Sequence, residues 1–141
     1  IEFTVIGKDE DAEQMEAVRA DKHTSYEGPK KKEEIIGYLK KADIFIMPSV
    51  TETFGLSYAE AVSQGVPVIY SKGQGFDGQF EEGEVGYHVD CFSAEEIAGK
   101  IEKITEDYAR ISLNCTKGAL KFNWQDISAE YMQLYEQVCK G

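Results

Sequence analysis

The chain has 141 residues and a formal net charge of −11, from 26 acidic and 15 basic side chains. That length suits a single domain with its own core, and so acidic a balance argues against general nucleic-acid binding. Every apolar run is far shorter than the roughly 20 residues that cross a bilayer as a helix. Cys91, Cys115 and Cys139 are widely spaced with no C-x-x-C pair, which disfavours a disulfide framework or a zinc site and fits a reducing cytoplasm. His23 and His88 each stand alone in strand-like segments and read as core or surface filler.

In chain order, residues 1–7 read as a strand and 11–20 as a helix with an acidic first turn suited to the helix dipole. Residues 23–27 form a short strand closed by Gly28 and Pro29, and 31–41 a helix whose Ile35, Leu39 and Ala42 share a face. Lys30, Lys31 and Lys32 before Glu33 and Glu34 read as a solvated helix start. The continuous apolar runs 43–48 and 66–70 have the pattern of parallel strands covered on both faces. Between them, a helix opens near Gly55 and ends at Gly65. A glycine-rich loop (71–78) precedes a strand at 86–89. Ser93 and Glu96 make a capping-box pattern ahead of the stripe Ile97, Ile101 and Ile104. Asn123 caps a last helix over 124–139, on which Trp124, Tyr131 and Tyr135 share a face and read as core, with some apolar surface left exposed. Alternating strands and helices predict a doubly wound, Rossmann-like α/β sheet. The chain opens inside a strand-like run without an initiator Met, as a piece of a longer protein would.

Glu52 and Glu60 bracket the most specific stretch. A buried strand, a turn containing Gly55 and a helix N-terminus follow one another there. In an open α/β sheet this is where anionic ligands sit, because free N–H groups and the helix dipole point at the strand ends. A carboxylate at each end of the element adds acceptors for hydroxyls, as a sugar and a ribose require. Glu52 through Glu60 reads as E-x7-E with Phe54, Gly55 and Leu56 inside, then Ala61 and Gly65-Val66-Pro67-Val68-Ile69. With the run 42–49 before it, Gly86-Tyr87-His88-Val89 and residues 93–97 after it, and Phe122-Asn123-Trp124 at the end, this resembles the donor-binding half of retaining GT-B glycosyltransferases over nearly the whole chain.

The resemblance implies a role for each residue. Glu60 accepts hydrogen bonds from the ribose hydroxyls, and Glu52, the catalytic-site carboxylate, contacts the transferred sugar. The N–H groups of Phe54, Gly55 and Leu56 face the diphosphate, with Lys72, Gly73 and Gly75 of the glycine-rich loop near the sugar and its leaving phosphate. That loop departs from the family's pattern: it has no proline, and Asp77 stands where a glutamate is usual, so Phe76 and Asp77 are weaker candidates. Tyr26, Gly28 and Pro29 lie where relatives bind the base. No metal or other cofactor is implied, since no Asp-x-Asp motif is present and backbone and Lys/Arg groups can neutralise a diphosphate.

The implied partners are a nucleotide-sugar donor and an N-terminal acceptor-binding half in the parent chain. A cytoplasmic parent at the inner face of a membrane, polysaccharide biosynthesis and self-association of this piece are further expectations. The alternatives are a half-domain of a sugar-nucleotide epimerase, which shares the architecture, and a non-catalytic sugar-nucleotide-binding or assembly module. The family's donor domain opens with a strand and helix that have no counterpart here. In the usual strand order that strand is central, so two strands are expected to keep an unpaired edge, to be met by further chain or by another copy.

Overall fold

In the computed structural model, which describes residues 1–9 and 11–139, local sequence signals set several of the helix starts. The elements are β1 (Phe3–Ile6), α1 (Ala12–Ala20), β2 (Thr24–Gly28), α2 (Lys32–Leu39), β3 (Phe45–Ile46), α3 (Leu56–Ser63), β4 (Val68–Ser71), β5 (Gly86–Val89), α4 (Ala94–Glu106), α5 (Tyr108–Gly118), a 3-10 turn (Ala119–Phe122) and α6 (Trp124–Cys139). Asp11 opens α1 by accepting from the N–H groups of Glu13 and Gln14, both at 3.1 Å. Ser93 opens α4 by accepting from the Glu96 N–H at 3.2 Å. The capping box is only half closed, because the Glu96 carboxylate reaches back to the N–H of Asp90 rather than that of Ser93. Asn123 opens α6, its side-chain oxygen accepting from the Gln125 N–H at 3.0 Å.

The chain divides into two compact units, Ile1–Tyr38 and Leu39–Gly141. In the first, β1 and β2 pair in parallel with Phe3 opposite Thr24, as a crossover through α1 requires. In the second, the order is β3-β4-β5, all parallel. This is the expected α/β class with parallel strands. Among the described residues only β4 hydrogen-bonds to two neighbouring strands.

β4 is central in its sheet and buried at all four residues. β3 is not covered on both faces as its apolar run suggests. It is two residues long and half-buried, because it has a neighbour on one edge only. The core of this unit is aromatic. Tyr58 from α3, Tyr70 from β4 and Phe76 from the following loop are at most 2% exposed, with ring centroids 4.9–6.1 Å apart, mostly in the tilted and edge-on arrangements that suit ring quadrupoles. Phe76 is therefore core, not a ligand-facing residue. α5 packs against α3 and adds Ile111 and Cys115 to the buried residues, and burial pushes the Cys115 thiol up to about 12.

α6 corrects the core reading of its aromatics. Trp124 is 78% exposed, Tyr131 57% and Tyr135 62%, and no residue of the helix is buried among those described. Helical spacing put these rings on one face, but among the described residues no other element of the unit buries that face. No helix of the described residues is long and apolar enough to cross a membrane.

Candidate functional site

Gly55 makes the turn between β3 and α3. It holds φ +80°, and a Cβ there would lie 2.3 Å from the Tyr58 ring, so both backbone and packing demand glycine. Glu52 fixes the turn from the other side. Its Oε1 accepts from the N–H groups of Thr53 at 2.9 Å and Gly55 at 3.0 Å. This alters the expected anion cradle: the Gly55 amide is committed to Glu52, while those of Phe54 and Leu56 have no partner among the described residues. Tyr58, from the first turns of α3, donates its hydroxyl to the Met47 carbonyl and so ties the helix to the chain leaving β3. Glu60 lies half-buried on the same helix, one turn beyond Leu56. The two carboxylates thus flank one rigid element at the C-terminal end of the sheet. The Phe54 ring packs edge-on against Phe122 with centroids 5.9 Å apart.

The glycine-rich loop is docked, not a free surface connection. Gly75 donates its N–H to the Glu52 carbonyl at 3.1 Å, and Gln74 Oε1 accepts from the Glu52 N–H at 2.9 Å. A Cβ at Gly75 would lie 1.9 Å from the Thr53 carbonyl oxygen, so only glycine permits this approach. Asp77 turns inward: its Oδ2 accepts from the Gly73 N–H at 2.7 Å, and its Oδ1 lies 3.0 Å from His88 Nδ1. Burial opposes ionisation of Asp77, but the Gly73 N–H, His88 and the Gly78 N–H together hold its carboxyl below the ordinary value. Asp77 therefore closes the loop and does not present itself to a ligand. Ser71 anchors the loop's start by donating to the Ser49 carbonyl at 2.6 Å. Lys72 leaves its side chain exposed where two open cavities of about 360 and 540 Å³ meet the strand ends.

In the first unit, Tyr26 has its hydroxyl bound to the Gly7 carbonyl at 2.9 Å, with Arg19 over its ring. Gly28 at φ +69° ends β2 and turns the chain into Pro29. Next to them Glu27 accepts from Tyr38 at 2.8 Å and pairs with Lys30 at 3.5 Å. The Tyr38 hydroxyl holds the Glu27 carboxyl below its usual range, burial works against that, and Lys30 adds to it. Lys30 is thus tied to Glu27 and Tyr38 and is not a free phosphate ligand. Lys31, read as part of a solvated helix start, donates its N–H to Glu34 at 2.9 Å.

The family model for glycosyl transferases group 1 matches residues 1–121. The chain belongs to that family. This group 1 glycosyltransferase chain is 32% identical over 113 residues to a D-inositol 3-phosphate glycosyltransferase of Corynebacterium jeikeium, covering 78% of this chain and 27% of the relative. It thus spans about a quarter of the length of the curated relatives it matches. Among solved structures, the sucrose-phosphate synthase of Thermosynechococcus elongatus superposes with TM-score 0.82 at 27% identity, covering 97% of this chain and 38% of that one. HepE of Anabaena, solved with UDP, superposes with TM-score 0.83 at 20% identity, covering 97% and 41%, and shares the GT-B fold.

His88 is the residue that reading the group 1 sequence passed over as filler. It sits between Asp77 and Glu82, at 3.0 and 3.4 Å from their oxygens. The available signal was weak: a histidine in a strand directly after a loop whose usual proline is missing.

Proposed function

We propose that this chain is the donor-binding half of a glycosyltransferase that moves a sugar from a nucleotide diphosphate sugar to an acceptor hydroxyl with retention. The observation that carries it is the Glu52–Gly55–Glu60 element at the C-terminal end of β3. It offers the Phe54 and Leu56 amides, unpartnered among the described residues, and a helix N-terminus between carboxylates suited to sugar and ribose hydroxyls. Glu60 takes the ribose. Glu52 has one oxygen fixed by the turn and presents the other to the sugar. The Phe54 and Leu56 amides and Lys72 stabilise charge building on the leaving diphosphate, so no metal is needed there. Gly73 and Gly75 bring the loop backbone beside the sugar. In the first unit, Tyr26, Gly28 and Pro29 are the proposed contacts of the base. The acceptor site belongs to the rest of a longer, two-domain parent in the cytoplasm, and this piece alone does not turn over. HepE holds UDP in its structure, which makes UDP the first nucleotide to try.

The test is sugar transfer by the full-length protein from UDP-glucose, with D-inositol 3-phosphate, the acceptor in its relatives' name, among the trial acceptors. The reading expects a product with the donor's anomeric configuration, and a donor KM raised about tenfold or more by Glu60→Ala, the scale of one charged hydrogen bond. An inverted product defeats retention. A donor KM unmoved by Glu60→Ala defeats the assignment of the ribose site.

A further inference from the structure

The glycine-rich loop lacks the rigidity a proline would supply, and the imidazole of His88 takes its place. From β5, His88 Nδ1 contacts Asp77 Oδ1 at 3.0 Å, and Asp77 Oδ2 holds the Gly73 N–H at 2.7 Å. Beyond Gly73 the same loop grips the backbone of Glu52 twice, through Gln74 Oε1 at 2.9 Å and the Gly75 N–H at 3.1 Å. An unbroken run of contacts therefore joins the imidazole to the residue read above as the sugar-binding carboxylate. The groups around His88 favour a proton on Nδ1. Asp77 and Glu82 both face it, the latter at 3.4 Å, and two carboxylates can share that position only if a donor stands between them. Lys100 of α4 binds Glu82 at 3.0 Å and so tempers its charge. Tyr70 of β4 packs at right angles to the ring, centroids 6.4 Å apart. Lys72, Asp90 and Glu96 line, with His88 and Lys100, the open cavity of about 540 Å³.

We propose that His88 is a positioning residue for the donor sugar: through Asp77 it sets the shape of residues 73–75 and thereby the placement of Glu52. It touches neither sugar nor phosphate. This role rests on the donor-binding reading above. Both carboxylates face the same Nδ1, so a single N–H there serves the two of them, Asp77 at the shorter distance.

The test has two arms on the full-length protein. NMR should show the Gly73, Gly75 and Gly55 amides displaced in H88A. In H88N, whose side-chain amide offers a donor near the place of Nδ1, they should stay close to their wild-type positions. In binding, H88A should weaken UDP-glucose about tenfold while leaving UDP unchanged, and H88N should restore most of the loss. Amides that ignore His88, or a loss shared equally by UDP and UDP-glucose, would overturn the role. Absence of any nucleotide binding by the wild-type protein would overturn the donor reading and this role with it. Coupled amides without a sugar-specific loss would overturn this role alone.

Discussion

A methyl group at Gly75 would meet the Thr53 carbonyl oxygen at 1.9 Å, against backbone that cannot rotate out of the way. Gly75→Ala should therefore push the loop off the Glu52 turn and cost about 1–3 kcal/mol, the usual scale for overpacking. Chemical denaturation measures this directly, and an unchanged midpoint would show that the loop is not docked. Asp77 makes a second prediction through pH. Its folded carboxyl lies below the ordinary value of 3.8, so its contribution is complete above that value. It is lost as pH falls below 3.8 through the lowered folded value. Asp77→Asn should therefore narrow the stability gap between pH 6 and pH 3, read from melting temperatures at both. Glu52, Gly55 and Glu60 were legible in the sequence because they lie within nine residues of one another. The Asp77–His88 contact was not, because its partners come from a loop and a strand that only the folded sheet brings together.

At the level of elements, a cap matters in proportion to what its helix buries. Ser93 opens α4, whose Ile104 is fully buried, so Ser93→Ala should lower global stability by about 1 kcal/mol. Trp124, the first residue of α6 after its Asn123 cap, is 78% exposed. Trp124→Ala should change stability by no more than about 0.5 kcal/mol, against about 3–5 for a buried aromatic. A loss of the larger size would mean that the face of α6 is covered in solution. The bounds of α6 and its Asn123 cap were readable because they depend on neighbouring residues alone. Its exposure was not, because helical spacing reports that a face is apolar without saying what lies against it. The brevity of β3 escaped for the same reason, since a strand's extent depends on how many of its edges are paired.

On the scale of the whole molecule, a net charge of −11 sets a repulsive long-range field against a nucleotide diphosphate, whereas the site proposed above would attract it at close range through the Phe54 and Leu56 amides and Lys72. Salt screens the first more than the second, because the Debye length is about 10 Å at 0.1 M. Association of UDP should therefore quicken, or at least not slow, as salt rises from about 20 to 150 mM. A protein that binds its anion through a basic surface would slow. Stopped-flow association at the two salt concentrations separates these cases.

The most direct test of the central claim is calorimetric titration of the full-length protein with UDP and UDP-glucose, in the wild type and in Glu60→Ala and Glu52→Ala. The donor-binding account predicts that Glu60→Ala weakens both ligands about tenfold or more, as loss of a charged hydrogen bond to the ribose should. It predicts that Glu52→Ala removes mainly the extra affinity supplied by the sugar. Binding of both ligands untouched by either substitution would contradict it.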